Sequence, residues 1–194
     1  MKKTFVVGIA GGSASGKSTF SDTLEKALDK LNVFVMHMDS YFKPVNARSQ
    51  PYVEAPISGI MYADDNDPLN IDLPRFAADL ERIAESGEHD AIITEGLFTL
   101  WDKNIYSQLD LKLFIDCKPD ERIVRRLRRN MAWGLSFDEI SNVYLDMVRF
   151  RHEEYVEPSK WRADIILNGS HSSERALKMI AENIINKCQS VHEF

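Results

Sequence analysis

An octapeptide near the amino terminus constrains this chain more than any bulk property does. Gly11-Gly12-Ser13-Ala14-Ser15-Gly16-Lys17-Ser18 satisfies the pattern G-x-x-x-x-G-K-[ST], and Thr19 follows it. The chemistry explains the spacing. Glycines let the backbone fold into a concave nest whose N–H groups face phosphate oxygens. A helix starting beside Lys17 adds the positive end of its dipole. Lys17 is then placed to reach β- and γ-phosphates, and the Ser18 hydroxyl to bind Mg²⁺. The flanks fit. Residues 4–10 form a compact apolar run suited to a buried parallel strand. Behind the loop, Phe20, Leu24, Ala27, Leu28 and Leu31 fall on one helical face. A strand, loop and helix of this kind bind a nucleoside triphosphate, with residues 11–19 as the expected contacts.

The same alternation continues. Strands are predicted at residues 33–38, 91–94, 111–115 and 165–167, with helices at about 72–86, 120–133, 137–155 and 174–188. Asp72 and Pro74 mark the start of the second helix. Five strands alternating with helices predict an α/β fold with a parallel sheet. Residues 40–72 read as an irregular excursion with four prolines and an acidic cluster. The 194 residues fit one domain: a core, this excursion, and a lid over about 120–155.

Composition narrows the partners. Thirty acidic against 24 basic residues give a net charge of −6, which argues against a general nucleic-acid surface. No apolar run is long enough to span a membrane. Met1-Lys2-Lys3 and the apolar run behind it mimic a secretory signal, but the run enters the glycine-rich loop directly and is read as a strand. Cys117 and Cys188 form no metal or redox motif, and two unpaired thiols suit the reducing cytoplasm.

Ligands of open α/β sheets lie beyond the carboxyl ends of the strands. Asp39 and Glu95 end two strands there. Asp39 is the expected base for an attacking hydroxyl, with a share in the metal network. Glu95 joins Ser18 as the expected metal-linked group. Asp116 is read as a turn or cap residue. Arg122, Arg125, Arg126, Arg128 and Arg129 crowd one stretch of an acidic chain. Arg122, Arg125 (or Arg126) and Arg129 share a helical face, suited to phosphate oxygens and to charge developing during transfer. The alternative is a solvated basic face paired with Asp120, Glu121, Asp138 or Glu139. Gly134 suits a hinge or a break after that helix. His37, His152, Trp101, Trp133 and Trp161 are read as packing residues.

These segments together resemble the uridine kinase and phosphoribulokinase-like branch of the P-loop kinases. The matching stretches are GGSASGKST at 11–19, MDSYFK at 38–43, ITEGLF at 93–98, DERIVRRLRRN at 120–130 and YVEPSKWRADIIL at 155–167. The resemblance implies a parallel five-stranded core with a helical lid, ATP as donor and Mg²⁺. It implies Asp39 as the acid that activates the acceptor hydroxyl, Glu95 as the metal-linked acid, and Arg125 and Arg129 as lid arginines. Tyr41 and Phe42 match residues near the acceptor. The nucleoside-recognition half departs from the family pattern. Asn66-Asp67-Pro68 stands where uridine kinases usually carry Asp-His-Pro, so the group gripping the ribose becomes Asn66 or shifts to Asp67. Residues 76–90 leave no room for the hairpin that embraces the base. Val143 replaces a glutamine before Tyr144, and Asn130 replaces an aspartate after Arg129.

The resemblance therefore implies an ATP-dependent phosphotransferase acting on a small acceptor alcohol, a nucleoside or another ribose- or sugar-like compound. A kinase of a cofactor precursor, of nicotinamide riboside or pantothenate type, stays open on the same scaffold. So does a nucleotide-dependent switch without an acceptor, although the chain has neither N-K-x-D nor D-x-x-G. The oligomeric state is open, a homo-oligomer included.

Overall fold

Five parallel strands carry the molecule. They are β1 (Phe5–Gly11), β2 (Val33–His37), β5 (Ala91–Glu95), β6 (Leu111–Asp116) and β7 (Ile165–Asn168), in the spatial order β2-β5-β1-β6-β7. This computed structural model describes residues 4–190. Register pairs Ile9 with Glu95, His37 with Glu95, and Asp116 with Asn168. The carboxyl ends of β1, β2 and β5 therefore finish side by side.

Side chains alternate across the sheet because successive Cβ atoms point to opposite faces. Val6, Ala10, Ile92 and Phe114 pack on one face with Phe76, Leu80, Phe98 and Leu100. Val7, Ile9, Ile93, Leu113 and Ile115 pack on the other, against Leu24, Leu28, Ile180 and Ile184. Each fully buried aliphatic or aromatic side chain contributes about 1.5–3 kcal/mol of transfer free energy. The helices supplying these faces are α1 (Lys17–Ala27), α2 (Leu73–Ser86), α3 (Lys103–Tyr106) and α7 (Glu174–Ser190). Asp72 caps α2 by accepting from the Arg75 N–H, with Pro74 in the first turn, and Gly87 closes the helix at φ 68°.

Two segments leave this core. Residues 40–72, read from sequence as irregular, contain a short antiparallel hairpin of β3 (Tyr52–Glu54) and β4 (Met61–Ala63). The second segment begins with α4 (Pro119–Ala132), breaks at Gly134 (φ 95°) and resumes as α5 (Phe137–Val143). Ser136 and Glu139 form a reciprocal capping box at the start of α5. The helix runs on through a π-type turn (Tyr144–Val148), α6 (Arg149–Arg151) and a second π-type turn (His152–Val156). Asp116 does not cap α4. Its carboxylate lies 3.5 Å from Lys160 Nζ, and Lys118 occupies the cap position.

Candidate active site

The loop after β1 folds as a strained nest. Gly11, Ala14 and Gly16 have φ of 151°, 62° and 102°. Gly16 is the N-cap of α1 and no side chain caps that helix, so its first N–H groups face outward for an anion. The Lys17 ammonium donates to the Gly12 carbonyl at 3.1 Å. Burial pushes it below its ordinary pKa, opposed by the negative charges of Glu95 and Asp39.

Glu95, at the buried end of β5, is the hub beside this loop. One of its oxygens accepts from the Ser18 hydroxyl at 3.2 Å and lies 2.9 Å from His37 Nδ1. Register makes this contact, because His37 and Glu95 are paired strand-end residues. His37 is therefore part of the site rather than a packing residue. Two positions on, Asp39 sits in the turn Met38–Tyr41, where Met38 is fully buried and Asp39 opens outward. Desolvation raises the Asp39 carboxyl above its ordinary range, with Lys17 pulling against it and Glu95 adding to it.

Lys17, Ser18, Asp39 and Glu95 line one cavity of about 710 Å³. Helix α4 and the residue that ends it supply Arg125, Arg126, Arg129 and Trp133 to it, and the rim also carries Phe42, Asp65 and Asn66. Arg126 Nη1 donates to Ser13 Oγ at 3.0 Å, while its buried Nε has no partner among the described residues. Arg125 bonds the Gly169 carbonyl at 2.8 Å and pairs with Glu121 at 3.4 Å. Arg129 lies over the Trp133 ring at 5.0 Å. A second cavity of about 550 Å³ lies across Gly16 and Arg125, walled by Phe20, Ile115, Leu167 and Leu177.

The family model described as phosphoribulokinase/uridine kinase matches residues 64–174. Uridine kinase from Clostridium botulinum (strain Kyoto / Type A2) is 32% identical over 203 residues, covering 95% of this chain and 97% of the relative. This chain belongs to the phosphoribulokinase/uridine kinase family. A uridine kinase from Staphylococcus aureus (strain JH9) is 33% identical over 205 residues, covering 95% and 97%. Uridine-cytidine kinase B from Dictyostelium discoideum is 26% identical, covering all of this chain and 86% of that one. Among solved structures, phosphoribulokinase from Rhodobacter spheroides shares the fold at TM-score 0.64 and 13% identity, covering 86% of this chain and 70% of that one.

Within this family fold, not every residue singled out from sequence reaches the cavity. Tyr41 turns away: its hydroxyl donates to Asp79 at 2.9 Å and its ring meets Phe76 edge-on at 4.9 Å. Asp67 accepts from the Leu69 N–H at 2.8 Å and pairs with Arg151 at 3.3 Å, so its carboxylate is occupied away from the lining. Arg122 faces inward. It is 3% exposed, donates to the Cys117 carbonyl at 3.0 Å and lies under Gly12. His152 lies beneath the same glycine, and burial with the Arg122 charge pushes it down to about 4. Trp101 packs on Phe98 and Tyr155 as expected, whereas Trp161 is exposed and Trp133 stands at the cavity edge. No helix among the described residues is long and apolar enough to cross a membrane.

Proposed function

We propose that this protein is an ATP-dependent phosphotransferase of uridine kinase type. It moves the γ-phosphoryl group to a hydroxyl of a small acceptor, a nucleoside or another ribose- or sugar-like alcohol. The observation that carries this reading is the shared cavity. A strand-end aspartate opens into the same space as the phosphate-loop lysine, with arginines above and a mixed apolar and amide rim opposite.

On this reading the 194 residues form one kinase domain, with about 40–72 on the acceptor side and about 120–155 as the lid. Gly11 to Thr19 hold the phosphates through backbone N–H groups and the Lys17 ammonium. The apolar second cavity takes the adenine side of ATP. Ser18 and Glu95, with Asp39 nearby, are the groups that would hold Mg²⁺. Their hard oxygen donors suit that ion, and the uncapped start of α1 suits the phosphates bound with it. When bound, the metal supplies neutralisation of phosphate charge.

Asp39 orients the acceptor hydroxyl and takes its proton as the oxygen attacks phosphorus. The bond from phosphorus to the bridging oxygen of ADP breaks, and ADP leaves with the charge. The raised Asp39 pKa favours this, since a base closer to the working pH holds the proton better. Arg125, Arg126 and Arg129 stabilise charge on the transferring group. Asn66 and Phe42 contact the acceptor.

A coupled ADP-release assay across nucleosides, sugars and vitamin alcohols tests the proposal. ADP release that depends on one class of added alcohol is the expected result. Steady release independent of any alcohol would contradict it and favour a switch.

A further inference from the structure

The excursion on the acceptor side is held from the lid helix by one guanidinium. Arg151 ends α6, between the two π-type turns. Its Nε lies 2.7 Å from Asp64 Oδ2 and its Nη2 lies 3.3 Å from Asp67 Oδ2. Nη1 is engaged by Glu154 at 2.9 Å. The Asp64 side chain is fully buried and that of Arg151 is 19% exposed. The two residues between the clamped aspartates, Asp65 and Asn66, are the ones that line the cavity.

Local bonds make the tetrapeptide stiff. Asp64 Oδ1 accepts from the Asn66 N–H at 2.9 Å, and the Asp64 carbonyl accepts from Asn70 Nδ2 at 2.6 Å. A second tie lies one π-type turn earlier. The Asp146 carboxylate accepts from the Ile57 and Ser58 N–H groups at the hairpin tip, and from the Ser58 hydroxyl. π-type turns insert one residue into a helix and re-aim the side chains around them. Here the first turn carries Asp146, and the two turns flank Arg151.

We propose that Arg151 is a positioning residue for the acceptor: by clamping Asp64 and Asp67 it fixes the Asp65–Asn66 edge against which the acceptor is seated. This rests on the kinase reading above. Arginine is required because its planar fork spans two separate carboxylates, whereas a lysine ammonium is a single point charge. The same clamp couples the lid helix to the acceptor side, so lid position and acceptor seating change together.

The test compares wild type with Arg151→Gln, Arg151→Lys and the double variant Asp64→Asn/Arg151→Gln. ADP release is measured with uridine, cytidine and ribose, and amide exchange of residues 64–70 is measured without ligand. Arg151→Gln is expected to raise the KM of the best acceptor at least tenfold and leave the ATP KM within twofold. Exchange over 64–70 speeds up at least tenfold. Arg151→Lys falls between. The double variant removes the Asp64–Arg151 pair as a whole, so it regains part of the thermal stability lost in Arg151→Gln but keeps the raised acceptor KM. Recovery of acceptor KM together with Tm would reduce Arg151 to a structural role and overturn the proposal. A parallel rise in ATP KM, or unchanged exchange over 64–70, would overturn it too. If wild type releases no ADP with any alcohol of the wider screen, the kinase reading fails by itself; the exchange of residues 64–70 then decides the clamp alone, and unchanged exchange removes it.

Discussion

Gly96 offers a perturbation that reaches Asp39 without touching it. It follows Glu95 at the end of β5, and a Cβ there would lie 2.3 Å from Met38 Cβ and 2.8 Å from its sulfur. The nearest atom is close to the backbone, so no rotamer change of Met38 relieves the clash. Met38 is fully buried and immediately precedes Asp39 in one turn. Gly96→Ala must therefore push that turn outward. Overpacking of this kind costs about 1–3 kcal/mol. For a chain of this size that lowers Tm by about 2–12 °C, at about 2–4 °C per kcal/mol. A shift of about 1 Å at a reacting group can cost about 10²-fold in rate. Thermal unfolding and the ADP-release assay are read on the same preparation. The expected result is a lowered Tm, kcat reduced about 10²-fold, and an unchanged ATP KM, because Met38 does not line the phosphate cavity. A variant with lowered Tm and wild-type kcat would refute the reasoning, since the turn would have moved without consequence for transfer.

Two further predictions concern charge. Burial raises the Asp39 carboxyl above the 3.8 of an unperturbed aspartate, and only the ionised form can accept a proton. Activity is therefore lost as pH falls through that raised value, and a pH profile of kcat/KM whose acid limb lies at or below 3.8 contradicts the assignment. Glu95→Gln removes the carboxylate shared by Ser18 and His37. It is expected to raise the Mg²⁺ concentration needed for half-maximal ADP release by about tenfold, the loss typical of weakened metal sites. It should also weaken Mg²⁺-dependent ATP binding in calorimetry. Unchanged metal dependence in both removes Glu95 from the metal network.

The sheet and the phosphate loop were legible because both are local signals. Apolar runs of three to seven residues, four of them ended by glycine or an acid, map one to one onto β1, β2, β5, β6 and β7. The strand-end rule then brought Asp39 and Glu95 together without any knowledge of distance. What stayed hidden depends on contacts remote in sequence. His37 meets Glu95 only through the β2–β5 register, and its place at a strand end was the available signal. The hairpin at 52–63 has three-residue strands flanked by prolines, and its tip is held by Asp146, almost ninety residues away. Tyr41 and Asp67 carry the right chemistry, yet Asp79 and Arg151 hold them outside the cavity lining. Helical periodicity placed Arg122 on one face with Arg125 and Arg129. It could not show that Arg122, one turn earlier in α4, is the one that the packing encloses.

Asp39 and the phosphate-loop Lys17 line one cavity with space for an alcohol. Asp39→Asn tests the role of the aspartate most directly, because the amide keeps the shape and removes the base. Calorimetry with ATP and Mg²⁺ should give an affinity within about twofold of wild type, while single-turnover transfer to the acceptor falls by about 10²–10⁴. Transfer at the wild-type rate would mean that another group takes the proton, and the central claim would be gone.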